Sequence, residues 1–268
     1  MRKLNHLSEV FQQYDTYVID LWGVMHNGIS LNDKAVEVVE NLKKNFKKIV
    51  FLSNAPRPSF KVVNFLRKMK LDEKFLSKVI TSGEAAMYAI NQNKYGKKFF
   101  HLGPDRDSSI FEKVKENKTN LNDCDFILCT GLFDEHEKNL DFYEDLLKKH
   151  TSKKLLCTNP DLIVHRGTQE EYCAGAIAKI FETLGGQVVY YGKPHKEIYK
   201  MCFDKGEKVL AIGDNLRTDI KGANNLKIDS LFISNGVHRN EINNDKDLSD
   251  LIKKYKVSTN YVQNNLKW

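Results

Sequence analysis

Short apolar runs alternate with amphipathic stretches along almost the whole chain. Nine runs read as strands, over 17–20, 49–53, 79–81, 98–102, 126–130, 155–158, 188–191, 209–213 and 230–233. Most are continuously apolar, the pattern of strands covered on both faces. Between them lie stretches that read as helices, over 33–45, 59–69, 83–91, 108–116, 137–150, 171–184, 197–203, 218–225 and 247–254. Strand–helix alternation of this kind implies a parallel sheet with helices on both faces. The C-terminal stretch is polar and rich in Asn and Lys; it is expected to wrap the surface with a short helix at most.

Several strands end in a polar or glycine-rich cluster: Asp20, Ser53-Asn54, Thr158-Asn159-Pro160-Asp161, Gly192-Lys193-Pro194 and Gly213-Asp214-Asn215. Open α/β sheets bind ligands outside the carboxyl ends of their strands. Each cluster has a chemical and a plain reading. Asp20 at a strand tip can be a nucleophile toward phosphorus, or a cap or turn former. Ser53 and Asn54 can hold phosphate oxygens, or form an ordinary Ser-Asn-x-Pro turn. Lys193 offers a point charge to a phosphoryl group and to the nucleophile's carboxylate, or is simply solvated. Asp214 and Asp219 supply the hard oxygen ligands that suit Mg²⁺, although Asp219 would equally favour a helix N-terminus. Singly the plain readings compete. Placed in this order on successive strand tips, the clusters favour a site.

Composition narrows the alternatives. A chain of 268 residues makes one large domain or two modest ones. Apolar residues make up 41%, and no run approaches the roughly 20 needed to span a bilayer. The first residues, Met1 to Val10, contain no signal-peptide apolar region, so the expectation is a cytoplasmic protein without a membrane partner. Cys124, Cys129, Cys157, Cys173 and Cys202 form no C-x-x-C pair and read as reduced core thiols. The net charge of +7 could attract phosphorylated or nucleic-acid partners. The lysines are spread in short pairs such as Lys43-Lys44 and Lys148-Lys149, with no basic block among aromatics, so no nucleic-acid partner is expected.

The order Asp20-x-x-Gly23, Ser53-Asn54, Lys193-Pro194 and Gly213-Asp214-Asn215-x-x-x-Asp219 resembles the haloacid dehalogenase-like hydrolase superfamily. The string from Gly213 to Ile220 and the long stretch between the Ser and Lys motifs look like its class IIA, NagD-like branch of sugar-phosphate and nucleotide phosphatases. The resemblance runs over nearly the whole chain. It implies a Rossmann-like α/β parallel-sheet core, 1–82 and 187–268, with an inserted α/β cap over 83–186. It also implies an Mg²⁺-dependent hydrolase of a small phosphorylated metabolite, and caps of this type often carry a homodimer contact. Asp20 would be the nucleophile. Asp20, Asp214 and the backbone carbonyl of Trp22 would hold Mg²⁺, with Asp219 supporting the metal's waters or Lys193. Ser53 and Asn54 would bind phosphoryl oxygens, and Lys193 would neutralise charge. Asn159 and Asp161 would face the site from the cap, and Gly175-Ala176-Ile177-Ala178 would form a close-packed cap helix.

One position departs from the pattern. The family's phosphatases carry Asp-x-Asp, and the second Asp protonates the leaving oxygen and later deprotonates the attacking water. Here that residue is Trp22, and an indole exchanges no proton near neutral pH. General acid/base help is worth roughly 10²–10⁴-fold. Three accounts follow: a substitute acid, for which His26 on the same loop is the candidate against a plain surface or turn histidine; a substrate with a good leaving group, such as an acyl phosphate; or a scaffold that binds a phosphorylated ligand in a regulatory role. Asp20, Lys193, Asp214 and Asp219 all persist, which puts the hydrolase first. A dehalogenase or phosphonatase is a weaker reading, because the cap follows the Ser motif and no cap lysine is marked for a Schiff base.

Overall fold

The computed structural model describes residues 1–268. Its strands are β1 (Arg2–Lys3), β2 (Thr16–Ile19), β3 (Lys48–Ser53), β4 (Val79–Thr81), β5 (Phe99–Leu102), β6 (Phe126–Cys129), β7 (Lys154–Cys157), β8 (Ile163–Arg166), β9 (Gln169–Tyr172), β10 (Gln187–Tyr190), β11 (Val209–Gly213), β12 (Asp229–Ile233) and β13 (Tyr261–Gln263). The helices are α1 (Asp33–Lys44), α2 (Ser59–Lys68), α3 (Ser82–Asn91), α4 (Leu140–Leu147), α5 (Ala174–Thr183), α6 (Lys196–Tyr199), α7 (Lys221–Leu226) and α8 (Asp245–Tyr255).

Seven strands form a parallel sheet in the order β1-β13-β12-β11-β2-β3-β4. Strand β2 lies inside the sheet, between β11 and β3, and all four of its residues are buried. On one face Tyr17 and Ile19 pack with Leu210, Ile212 and the α1 residues Val38, Val39 and Leu42. On the other, Val18 meets Val50, Leu52, Ile198 and Tyr199. Helix α1 buries Ala35, Val38, Val39 and Leu42, a 3.6-period stripe, and carries Asp33 in its first turn and Lys43 and Lys44 in its last.

A second parallel sheet runs β10-β7-β6-β5. Helices α4 and α5 cover one face, where Tyr143, Leu147, Ile177 and Phe181 pack on Ile127, Cys129 and Leu155. The Gly175–Ala178 segment is buried in α5 as expected. Strands β8 and β9 form a separate antiparallel hairpin.

All nine expected strands are present, and four further strands are not among them. Strand β13 overturns the expectation of a surface wrap, since Val262 is buried beside β12; the helix expected over 247–254 is present as α8, and the Asn244 side chain caps it by accepting from the N–H groups of Lys246 and Asp247. The stretch expected as a helix over 108–116 is instead two 3₁₀ segments, Asp105–Ile110 and Glu112–Asn117, because the chain past them is drawn to the sheet edge, where Thr119 N–H donates to Phe99 O at 2.9 Å. The helix expected from 171 begins at Ala174, since Glu171 and Tyr172 are committed to β9. The return to the first sheet also falls later than residue 187: Gln187–Tyr190 pair with Lys154–Cys157 in the second sheet, which Val188 and Tyr190 reach by packing against its helix layer.

Candidate active site

The carboxyl ends of β2, β3 and β11 converge on one cleft of about 480 Å³, lined by Asp20, Trp22, His26, Ser53, Asn54, Asn159, Asp161, Asp214 and Asp219 among others. Asp20 directly follows β2, and its N–H donates to Ile212 O at 2.9 Å, so the ladder with β11 fixes its backbone. Gly23 then turns the chain at φ +84°, where a Cβ would lie 2.0 Å from Asp214 Oδ2; only glycine allows that approach.

Lys193 Nζ donates to Asp20 Oδ1 at 2.6 Å and to Asp219 Oδ1 at 2.7 Å, with all three side chains less than a tenth exposed. Asp219 Oδ2 accepts from Asn215 N–H at 3.1 Å, and Asp214 Oδ2 accepts from Val237 N–H at 2.7 Å. Each of Asp20, Asp214 and Asp219 offers a carboxylate oxygen within 4.8 Å of the others. Burial pushes the Asp20 carboxyl up despite the Lys193 ammonium beside it. Burial, then the Asp20 and Asp219 charges, push Asp214 well above the usual carboxylate range. Against the cost of burial, the Asp20, Asp219 and Asp161 carboxylates hold Lys193 well above the usual ammonium range. Three buried carboxylates against one ammonium leave a formal charge of −3 + 1 = −2. Such an excess is costly without a counter-charge. A hard divalent cation suits both the donor set and the charge, and Asp20, Asp214 and Asp219 are the residues that could hold it.

Other expected site residues are brought to the same place with altered contacts. Ser53 is buried, and its Oγ accepts from Ala55 N–H at 3.2 Å. The Asn54 side chain does not reach out as a phosphate ligand. Its Oδ1 accepts from Lys193 N–H at 2.8 Å and its Nδ2 donates to Lys193 O at 3.3 Å, so the amide aligns the lysine's backbone. Asn159 Oδ1 accepts from Asp161 N–H, closing the turn that starts the Asn-Pro-Asp loop. Asp161 Oδ1 accepts from Asn215 Nδ2 and Thr218 Oγ1, both at 3.1 Å, which ties that loop to the β11 tip.

His26 is no surface histidine. It is buried, edge-on to Trp22 at 5.1 Å and to Phe65 at 5.5 Å, and its Nδ1 accepts from Gly28 N–H at 3.1 Å. Burial, with Arg166 nearby, lowers its pKa to about 4, so the ring is neutral near neutral pH and carries no readily given proton. Trp22 is half-buried, and its indole Nε1 donates to His165 O at 2.9 Å.

Sequence reasoning missed the β8–β9 hairpin, whose Ile163, His165, Arg166, Glu170 and Tyr172 line the cleft, together with Arg239. The Arg166-Gly167-Thr168 step between two extended stretches is a hairpin signal, but the Glu-rich second stretch was absorbed into the helix that follows.

Comparison with known proteins agrees with this geometry. A family model described as haloacid dehalogenase-like hydrolase matches residues 17–115, and a second, HAD-hydrolase-like, matches 190–267. An acid sugar phosphatase of Staphylococcus epidermidis is 26% identical over 236 residues, covering 84% of this chain and 88% of that protein. A haloacid dehalogenase-like hydrolase of Brucella suis superposes with a TM-score of 0.86 at 28% identity, covering 98% of this chain and 99% of that one. A 4-nitrophenylphosphatase of Thermotoga maritima shares the fold, with a TM-score of 0.70 at 24% identity and 96% of each chain covered. The chain belongs to the haloacid dehalogenase-like hydrolases. Its core and inserted layer have the α/β parallel-sheet fold of that family. No helix is long and apolar enough to cross a membrane, and all five cysteines are buried and unbridged.

Proposed function

We propose that the chain is an Mg²⁺-dependent phosphoric monoester hydrolase acting on a small phosphorylated metabolite. The observation that carries this reading is the grip of one buried lysine on Asp20 and Asp219, which line the cleft together with Asp214. The core would be 1–82 and the chain from about residue 191 onward; the inserted cap would lie between, adjusted for the position of β10.

Asp20 and Asp214, with the Trp22 carbonyl, would hold Mg²⁺, which when bound supplies positive charge to the phosphoryl oxygens. Asp20 attacks phosphorus, the bond to the leaving oxygen breaks, and an aspartyl-phosphate remains on Asp20. Lys193 balances charge on Asp20 and the phosphoryl group. Ser53 orients a phosphoryl oxygen, while Asn54 acts by aligning Lys193. Water then cleaves the aspartyl-phosphate.

The leaving oxygen needs a proton that neither Trp22 nor the neutral His26 gives readily. The substrates that fit best therefore have good leaving groups, such as acyl phosphates, or carry their own acidic group. The commitment of the Trp22 indole to His165 O also favours a second reading, a phosphoryl-ligand binder with little turnover. A panel of sugar phosphates, nucleotides and acyl phosphates, assayed with Mg²⁺ and again with chelator, separates the two. Chelator-sensitive release of phosphate supports the hydrolase. Tight binding with no release from any compound supports the binder.

A further inference from the structure

The side chain at position 22 stands where the family's proton donor would stand, yet it points its one polar atom at the inserted hairpin. We propose that Trp22 is a positioning residue: it clamps the β8–β9 hairpin onto the nucleophile loop and thereby sets which leaving groups enter the cleft. The substrate half of this inference rests on the hydrolase reading; the structural half does not.

A two-stranded hairpin is marginal by itself in water, and β8–β9 joins neither large sheet. Most of its second strand is exposed. Its position is therefore set by ties at its tip, and five such ties run to two core loops. Trp22 Nε1 donates to His165 O at 2.9 Å. Gly167 N–H donates to Asn27 O at 3.0 Å. The Arg166 guanidinium lies over the indole, 5.2 Å from the ring centre. Its NH1 also reaches Gly28 O at 3.5 Å. Finally, Arg239 NH2 donates to Gly167 O at 2.8 Å.

The fit below the indole is close. Gly28 has φ +85°, and a Cβ there would lie 2.6 Å from Trp22 Cζ2, so the loop is shaped to the indole. Above it, Arg166 is held in place by Glu171, which accepts from Nε at 2.7 Å. A cation over an indole and a neutral hydrogen bond are each modest contacts. Trp22 contributes both, and two of the other three contacts depend on the loop and the guanidinium that pack on it. The clamped strands line the same cleft as Asp20, with Ile163, His165 and Arg166 along β8 and Tyr172 at the end of β9. A misplacement of about 1 Å in such a wall costs roughly 10²-fold in rate for a substrate held against it.

The test is hydrogen exchange on the full chain. In Trp22→Ala, amides of 163–172 should exchange at least about 10-fold faster, with β2, β3 and β11 unchanged; Trp22→Phe, which keeps a ring but no donor, should fall between. Hairpin exchange equal to wild type in Trp22→Ala overturns the clamp. Should Trp22→Ala fail to fold, Arg166→Gln attacks the same clamp from the hairpin side. Faster hairpin exchange in that variant supports the proposal, and unchanged exchange overturns it. In kinetics, Trp22→Ala should shift the kcat/KM ratio of 4-nitrophenyl phosphate to acetyl phosphate about 10-fold toward the bulkier compound, with Trp22→Phe restoring most of the wild-type ratio. An unmoved ratio in an active, exchange-loosened variant overturns the specificity role. Absence of turnover in every form counts against the hydrolase reading, and the exchange result stands apart from it.

Discussion

The strand tips and the inserted hairpin meet at the same cleft, and they are held together in opposite ways. At the tips, charge is buried and paired: Lys193 bonds Asp20 and Asp219, while Asn54 fixes the lysine's backbone. At the hairpin, the ties are partly exposed and singly weak, and two of the five are made by Trp22. In the proposed function the tips would carry the chemistry of phosphoryl transfer, and the hairpin would decide what is presented to it.

Removing the tips should have the largest effect. Asp20→Asn keeps the shape and removes the nucleophile, so turnover of every substrate should fall by at least about 10³-fold in a phosphate-release assay. Lys193→Met should do the same and also destabilise the fold by about 3–5 kcal/mol, read from denaturant unfolding, because it leaves buried carboxylates uncompensated. Turnover surviving Asp20→Asn would place the chemistry elsewhere in the cleft.

Trp22→Asp changes both regions together. It restores an acid beside the nucleophile and releases the hairpin. The rate on a sugar phosphate relative to an acyl phosphate should rise by about 10²-fold or more, since only the ester needs its leaving oxygen protonated. An unchanged ratio would show that proton transfer does not limit ester hydrolysis.

His26 is expected to matter to the loop and not to proton transfer. His26→Ala should cost about 1–3 kcal/mol in unfolding free energy, as Gly28 N–H loses its acceptor and the ring leaves a gap beside Trp22 and Phe65. The pH profile of kcat between about 5 and 8 should keep its shape, because the imidazole is already neutral there. A lost alkaline limb, where a general acid has given up its proton, would identify His26 as the acid.

The smallest effect on activity lies in the second sheet, on β5. His101 is buried against Thr130, at 2.9 Å, and burial lowers its pKa to about 4. Its unfolded form takes up a proton near 6.5. Stability is thus whole above about pH 6.5 and is lost as pH falls toward 4, by at most about 3 kcal/mol. His101→Gln should flatten that part of the unfolding profile without altering the activity of the native enzyme at neutral pH.

The same contrast explains what could be read from the chain. Asp20, Ser53 and Asp214 each end an apolar run, so local pattern alone puts each at a strand tip, and the pairing of β11, β2 and β3 makes the tips neighbours. The hairpin depends on partners far apart in sequence: Trp22 and His165 are 143 positions apart, and Arg239 and Gly167 are 72. No local pattern encodes such contacts. Strand β13 was hidden for a related reason, since its place in the sheet depends on pairing with β12 rather than on its own short polar sequence. Asn54 was found but given another task, because the backbone of Lys193, 139 positions away, takes both ends of its amide.

The central claim is an assembled nucleophile at Asp20 with no acid/base partner at position 22. Rapid mixing with Mg²⁺ and acetyl phosphate tests it most directly. The first phosphoryl transfer needs little proton help, but water attack on the aspartyl-phosphate lacks a base. Acetate should therefore appear in a burst approaching one equivalent per chain, followed by a slower steady rate, with the phosphoryl group trapped on Asp20 after acid quench. Linear release from the first turnover, with no phosphoryl group on Asp20, would contradict the account.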